Sequence, residues 1–171
     1  MKRQRVDKIV SISGLIIAVV IAVAGGLLLW GGTFAHNTVT TELTTQKITF
    51  SEDATKLPPE LQSWAGTQVT DGPSAKAYSD LIAVHVAGVA GGKTYSEVSE
   101  EWMAGGMKDA TLAQQRTTLF MGESLRAMLL NAYAFWTVGT VAIIASFAAF
   151  GVAIALLILA LLGFRHAKEV E

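Results

Sequence analysis

The chain has 171 residues, of which 51% are apolar and only 16% charged, with a formal net charge of −1 and no cysteine. Soluble domains carry about 25% charged residues, and here the charges are missing from 9–34 and 127–164, which excludes an ordinary soluble globule. The near-neutral balance argues against a nucleic-acid partner, and the lack of cysteine excludes disulfides, thiolate zinc sites and cysteine-ligated iron–sulfur clusters.

The first predicted element is an apolar run at 9–30, which follows a basic segment at 1–8. At 1.5 Å per residue this run forms a helix of roughly 33 Å, enough to cross a hydrocarbon core of about 30 Å. We predict a transmembrane helix over 9–30. The alternative is a signal peptide cleaved after Ala22-Val23-Ala24, but the apolar run continues beyond this point, to Trp30.

The central region, 35–126, is predicted to be a small and mostly helical domain. It carries seven Lys/Arg and eleven Asp/Glu. The first predicted elements are a continuation of the first helix over 36–47, an extended piece at 47–50, a turn at Leu57-Pro58-Pro59-Glu60 and an extended piece at 67–70. A helix over 75–90 follows, and it starts at Asp71-Gly72-Pro73-Ser74. The next helix starts at the capping box Thr94-Tyr95-Ser96-Glu97 and ends near Gly105-Gly106.

A long final helix is predicted from about Asp109 without a break into the second apolar run. The segment 127–164 therefore combines a projecting helix with the second transmembrane helix, and 165–171 is a short tail. If Arg165 lies level with Lys8, then Trp30 lies level with a point near Ile143 and 127–142 project beyond the membrane. This projecting part is too apolar to stand bare in water, so it should pack on the central domain or on a partner.

The charges at both ends predict the orientation in a bacterial plasma membrane. Lys2, Arg3, Arg5 and Lys8 precede the first span, and Arg165, His166 and Lys168 follow the second. Short segments rich in Lys and Arg stay in the cytoplasm, so we expect both termini inside and the central domain outside. Aromatic side chains at the outer ends, namely Trp30, Tyr133 and Trp136, fit the interfacial belt of membrane proteins. The predicted fold class is thus mainly α, with two transmembrane helices that flank a helical extracytoplasmic domain.

Small residues recur at every fourth position in both spans. They are Gly14, Ala18, Ala22 and Gly26 in the first span and Ala145, Ala149 and Ala153 in the second. Small residues at this spacing allow helix backbones to approach closely, so these faces are predicted to pack the two spans together or to pack this protein against another. A chance pattern is the alternative, because Ala and Gly are common in membrane helices.

Few residues of the central domain are candidates for chemistry, and no catalytic, cofactor-binding or metal-binding set is predicted. His85 shares a helical face with Tyr78, Ile82 and Val89, which favours a hydrogen-bonded core histidine over a ligand or a pH sensor. His85 and Tyr95 are the two candidate binding residues of this domain. Nothing in the spacing predicts that His36, His85 and an acidic residue converge on an iron ion.

Six segments, in order along the chain, resemble a family of uncharacterised two-pass membrane proteins of actinobacteria. They are Lys2-Arg3-Gln4-Arg5-Val6-Asp7, Ala75-Lys76-Ala77-Tyr78, Ile82-Ala83-Val84-His85, Gly91-Gly92-Lys93-Thr94-Tyr95, Leu129-Leu130-Asn131-Ala132-Tyr133-Ala134-Phe135-Trp136 and Leu161-Leu162-Gly163-Phe164-Arg165-His166. The resemblance implies a two-pass membrane protein and carries over no established activity. Some members bear the label of aromatic ring-opening dioxygenase subunits, which the residues of this chain do not support, because they include no convergent set of iron ligands.

We therefore expect a non-enzymatic integral membrane protein that serves as an accessory or interaction subunit of a larger plasma-membrane assembly. Its expected partners are the lipid bilayer and other membrane protein subunits, with no cofactor and no nucleic acid. An alternative is an extracytoplasmic sensing or ligand-binding module that signals through a partner, because the seven residues after Phe164 are too few for a signalling domain. An enzyme with a metal ion at His85 is a third hypothesis.

Overall fold

The computed structural model of the protein describes residues 2–169 and is mainly helical, as predicted. Its four α-helices are α1 (Lys2–Gln46), α2 (Gly72–Val89), α3 (Tyr95–Ala104) and α4 (Ala110–Glu169), and 3-10 helices lie at Ala54–Lys56 and Pro59–Trp64. An isolated antiparallel bridge joins Thr49 to Gln68, and the described residues contain no β-strand.

Local signals in the sequence place most helix ends correctly. α1 continues past Gly31-Gly32 as predicted. The side chain of Asp71 caps α2 by accepting from the Ser74 N–H, and Thr94 and Glu97 form the predicted capping box of α3. The prediction of a simple turn at 57–60 is incomplete, because Pro59 begins a 3-10 helix in which the Leu61 N–H donates to the Pro58 carbonyl at 2.8 Å.

The chain divides into two compact units. One, here called the two-helix unit, comprises 1–35 and 138–171, and the other, the central unit, comprises His36–Thr137. The central unit thus includes 127–137, most of the predicted projecting segment at 127–142. The predicted tails at 1–8 and 165–171 include Met1, Val170 and Glu171, which lie outside the described residues.

Small residues line the contact between α1 and α4 in the two-helix unit, at a spacing of seven. Apart from Ala35, the buried positions described in this unit are Ser11, Ala18, Gly25 and Gly32 on α1, and Gly139, Ser146, Ala153, Ala160 and Ala167 on α4. A seven-residue repeat keeps its side chains on one face when two helices wind around each other with a left-handed twist. We call this set of nine residues the small-residue seam.

The two helices of this unit run antiparallel in close contact. A Cβ built on Gly14 would lie 3.8 Å from the Ala160 Cβ, and one built on Gly32 would lie 2.6 Å from the Gly139 carbonyl oxygen and 2.6 Å from the Ile143 Cγ1. At the other end, Gly163 lies against Ser11. The predicted register, in which Trp30 is level with a point near Ile143, is confirmed.

Large apolar side chains of the two-helix unit point outward. Ile9 is 64% exposed and Phe147 is 65% exposed, whereas the residues of the small-residue seam are buried. In Gln4–Gln46 and Ala110–Lys168, only 11% of the most apolar window is buried. A core helix of a soluble protein would be mostly buried, so the surface of this unit suits lipid better than water. Both helices are long and apolar enough to cross a membrane.

The central unit has an ordinary core of large side chains. Phe50 is 2% exposed and packs on Trp64 and, edge to face, on Tyr78, with ring centroids 5.8 and 5.0 Å away. Leu129 of α4 is buried in the same core. The predicted extended pieces meet here, because the Phe50 N–H donates to Thr67 O and the Val69 N–H donates to Ile48 O, each at 2.9 Å.

α4 contributes a second part of this core and two close backbone contacts. Val86, Val98 and Leu119 form a smaller buried cluster where α2, α3 and α4 meet. Gly122 lies directly against Val86, and a Cβ built on Gly72 would lie 2.5 Å from the Trp136 Cβ. One face of 127–137 is therefore covered by the central unit, which is one of the two arrangements predicted for the projecting segment.

Candidate functional site

An apolar groove crosses the surface of the central unit between the last turns of α1 and the middle of α4. Two cavities of about 480 and 270 Å³ make up this groove, and they share Leu43, Gln46 and Met128. The remaining lining residues are Thr38, Val39, Glu42, Ile48, Tyr78, Ile82, Leu125, Leu129, Ala132 and Phe135. We call it the α1–α4 groove.

The floor of the α1–α4 groove is part of the core. Val39, Leu43 and Leu129 are buried members of the main hydrophobic cluster, and Ile82 and Tyr78 pack against it. Side chains held by a packed core keep their rotamers. The floor of the groove is therefore preformed by the folded core.

The α4 rim of the groove is apolar, and three of its four side chains are exposed. It consists of Leu125, Met128, Ala132 and Phe135, and Met128 is 67% exposed. Steps of three, four and three residues keep these side chains on one face of α4, the spacing with which one helix packs against another. Contiguous exposed apolar patches on otherwise polar domains mark sites of interaction.

The α1 rim is polar. Thr38, Glu42 and Gln46 follow one another at steps of four residues, so they share a face of α1. Glu42 is exposed, and within the described residues it forms no ion pair. The groove thus has one apolar wall and one wall with a free carboxylate.

Exposed methionines are a further feature of this unit. Met103, Met107, Met121 and Met128, the four methionines that the structure describes, are each more than half exposed. Methionine is flexible and polarisable, and it is frequent at surfaces that adapt to binding partners. Met121 continues the α4 rim by one further step of four residues, which extends the apolar stripe to 121–135.

A second and more polar cleft lies between α2, the start of α3 and α4. Its volume is about 440 Å³, and its lining includes Lys93, Thr94, Tyr95, Glu123 and Arg126. The Glu123 carboxylate holds Arg126 with two hydrogen bonds of 2.8 Å. Because this cleft carries both charges and a hydroxyl, it is better suited to a small polar ligand than to an apolar one.

Tyr95 lies at the edge of this polar cleft and contacts Arg116. The Arg116 guanidinium donates to the Tyr95 hydroxyl at 3.2 Å and to Ser99 Oγ at 2.9 Å, and it stacks over the Trp102 ring at 4.3 Å from the centroid. The hydrogen bond from Arg116, with a smaller contribution from Ser99, lowers the pKa of Tyr95. These contacts tie α3 to α4, so Tyr95 has a structural role beside any binding role.

The prediction that His85 is a core histidine is wrong, because its side chain is exposed. The buried face of α2 contains Ser79, Val86 and Ala90, and His85 precedes Val86 by one position, which turns it about 100° away from that face. His36, by contrast, is half-buried and stacks on Trp136 with ring centroids 3.8 Å apart.

The three predicted interfacial aromatics lie in different surroundings. Trp30 is 68% exposed and stacks on Phe34, and Tyr133 is also exposed. Trp136 is half-buried, because it packs between His36 and the backbone of Gly72. Its position is explained by packing within the central unit.

The predicted ladder of small residues coincides only in part with the small-residue seam. Ala18 and Ala153 are buried in the seam, Ala149 lies 3.3 Å from a Cβ built on Gly25, and Gly14, Ala22 and Ala145 are half-buried. Gly26 is exposed, and a Cβ built there would meet nothing within 4 Å. Four residues turn a helix by about 400°, so three such steps move Gly26 about 120° from Gly14.

Sequence reasoning did not single out the α1–α4 groove. The signal was present, because Met121, Leu125, Met128, Ala132 and Phe135 follow the 4-3-4-3 spacing of a helical contact. From residue 127 onward that pattern runs through a charge-free stretch, where other apolar side chains on α4 hide it. Only the burial of Leu129 and the exposure of Met128 show which face remains open.

No three His, Asp or Glu side chains within 2–169 are grouped in a way that could hold a metal ion. Comparison of the chain with known protein families, curated proteins and solved structures finds no match. Any functional conclusion therefore depends on the geometry of the two units.

Proposed function

We propose that this protein is an integral membrane accessory subunit, in which the two-helix unit crosses the plasma membrane and the central unit docks another protein of a larger assembly. The burial pattern of the two-helix unit supports the membrane location, because this unit buries small residues and exposes Ile, Val, Leu and Phe. The contacts of α1 with α4 support retention of the first apolar run, since a cleaved α1 would leave the small-residue seam of α4 without a partner.

The proposed orientation has both termini in the cytoplasm and the central unit outside. The basic residues that flank the two apolar runs support it. In intact protoplasts, an impermeant amine reagent is expected to label the exposed Lys93 and to spare Lys168. The opposite labelling pattern would reverse the orientation.

The observation that carries the accessory role is the α1–α4 groove. Its apolar rim remains exposed in a unit whose core is otherwise formed by large buried side chains, and its floor is preformed. An interaction surface explains why Leu125, Met128 and Phe135 face outward on a helix that already buries Leu119 and Leu129.

Co-purification of the full chain from native membranes in mild detergent tests this role. We expect the wild-type chain to elute in a complex with a stoichiometric partner, and Met128→Asp to elute without it. Phe120→Asp is the matched control, because Phe120 is 59% exposed on the same helix but does not line the groove. A wild-type chain that is always isolated alone would refute the accessory role.

The polar cleft at Tyr95 favours a second candidate function, the binding of a small polar ligand by a sensing module that acts through a partner. Its mixed charges, from Lys93, Glu123 and Arg126, suit an amino acid or a small carboxylate. Thermal unfolding of the purified chain with a panel of amino acids and carboxylates is the test. A stabilisation that Glu123→Gln abolishes would support this function over the first.

A further inference from the structure

We propose that the occupant of the α1–α4 groove is an amphipathic helix with a basic flank, contributed by the partner protein. The inference rests on the proposed accessory function and adds the chemistry of the partner. An apolar stripe of this helix would contact the α4 rim, and a Lys or Arg beside the stripe would pair with Glu42.

The form of the groove favours a helix. The apolar stripe at 121–135 spans about 21 Å along α4 at helical rise, which is the length of two heptads. Its 4-3-4-3 spacing offers holes between neighbouring side chains, into which the side chains of a second helix fit. On the opposite wall, Thr38, Glu42 and Gln46 offer hydrogen-bonding groups to the polar side of that helix.

Charge favours a basic partner. The central unit carries eleven Asp/Glu against seven Lys/Arg, so its field attracts a positively charged segment. Glu42 stands at the groove itself and is exposed, and none of the ion pairs formed by the described residues uses it. A basic residue on the incoming helix would therefore find a free carboxylate beside the apolar contact, which would fix its register.

Two other occupants fit less well. A second copy of this chain would bring one acidic central unit against another, with Glu42 near the contact in both copies, and like charges oppose association. A lipid acyl chain would fill the apolar wall but would leave Glu42 and Gln46 facing methylene groups. Covering these polar groups without a hydrogen bond is unfavourable.

Site-specific photo-crosslinking in native membranes tests the proposal with the full chain. A benzoylphenylalanine at position 128 is expected to form one discrete protein adduct, and mass spectrometry should place the crosslinked peptide in a helical segment with Lys or Arg beside an apolar stripe. The same probe at position 84 is the control, because Val84 is exposed on α2 and lies outside the groove.

Charge reversal then tests the role of Glu42. In the chain with the probe at position 128, Glu42→Lys should lower the crosslinking yield about fivefold, and raised salt should lower the wild-type yield, because an exposed ion pair contributes modestly and is screened. Glu60→Lys, which changes the net charge equally at an exposed position outside the groove, should leave the yield near that of the wild type.

The outcomes separate this inference from the function on which it rests. An adduct with a protein segment that lacks basic residues, or a yield that Glu42→Lys leaves unchanged, overturns the basic helix and leaves the accessory role standing. An adduct that contains a second copy of this chain, or only lipid, overturns the basic helix in favour of that occupant. A chain that forms no adduct and purifies alone refutes both.

Discussion

The two units of this protein achieve stable packing with opposite choices of side chain. The two-helix unit buries Ser, Ala and Gly and exposes its large apolar residues, whereas the central unit buries Phe50, Leu81 and Leu119 and exposes most of its charges. In water, the burial of large apolar surface drives folding. In lipid that driving force is absent between helices, so close contact of backbones over small residues replaces it. The same two helices, α1 and α4, contribute to both units.

The largest loss of stability is expected when a large side chain is removed from the core of the central unit. Phe50→Ala should lower the free energy of unfolding of this unit by about 3–5 kcal/mol, because it removes a buried ring and leaves a cavity. Guanidinium unfolding in detergent, followed by the fluorescence of the tryptophans, measures it. Phe120→Ala is the control, since Phe120 is 59% exposed, and an equal loss in both variants would contradict the assignment of the core.

In the two-helix unit, stability is expected to fall when a small buried residue is replaced by a large one. Gly32→Leu should lower stability by about 1–3 kcal/mol, because a side chain there meets the backbone of Gly139 and the Ile143 side chain. Thermal unfolding in detergent, followed by circular dichroism, measures it.

Gly31→Leu is the matched control for that substitution. A Cβ on Gly31 would meet nothing within 4 Å, and replacing glycine inside a helix gains up to about 1 kcal/mol. Equal unfolding temperatures in the two variants would show that the small-residue seam does not form the helix contact.

A smaller, pH-dependent effect is expected at the start of α3. Glu97 accepts from the Thr94 N–H at 2.7 Å and from the Thr94 hydroxyl at 2.8 Å, and chiefly the backbone bond lowers the pKa of Glu97. The ionised Glu97 therefore stabilises the start of α3 fully above the ordinary pKa of glutamate, about 4.3. This stabilisation is lost as the pH falls through the lowered pKa of the folded state.

Hydrogen exchange of the α3 amides between pH 3 and pH 6 measures this loss. In Glu97→Gln the acid-dependent part should disappear, since the amide does not titrate. If the wild type and Glu97→Gln show the same exchange at every pH, the capping box is not the cause of the acid-dependent loss.

The smallest effect is expected at His85. Because its side chain is exposed, His85→Ala should change stability by no more than about 0.5 kcal/mol. Thermal unfolding measures this change, and diethyl pyrocarbonate should modify His85 in the folded protein. A loss of several kcal/mol would support the sequence-based prediction that His85 is a core histidine.

Much of the fold follows from local signals. Asp71 and Thr94 mark helix starts because their side chains accept from backbone N–H groups that the first helical turn leaves unpaired. The apolar runs predict both long helices. Counting residues from the basic ends predicts that Trp30 and Ile143 lie at the same height along the helix pair. These signals depend on nearest neighbours and on the helical rise, so they can be read along the chain.

The faces of the helices could not be predicted equally well. Gly25 and Gly26 are chemically identical neighbours, yet one is buried in the small-residue seam and the other is exposed. His85 and Val86 differ in the same way. One position along a helix is a turn of about 100°, and an apolar stretch has no polar side to show which way it faces.

By itself, the sequence determined that this chain forms long apolar helices around a capped, acidic central region, because length, charge and capping are properties of short segments. Only the tertiary structure decided which glycines meet, why Trp136 is half-buried, and that Leu125, Met128 and Phe135 stay exposed beside Glu42. The physical reason is that packing depends on the angle at which two helices face each other, and that angle is set jointly by residues distant in the sequence.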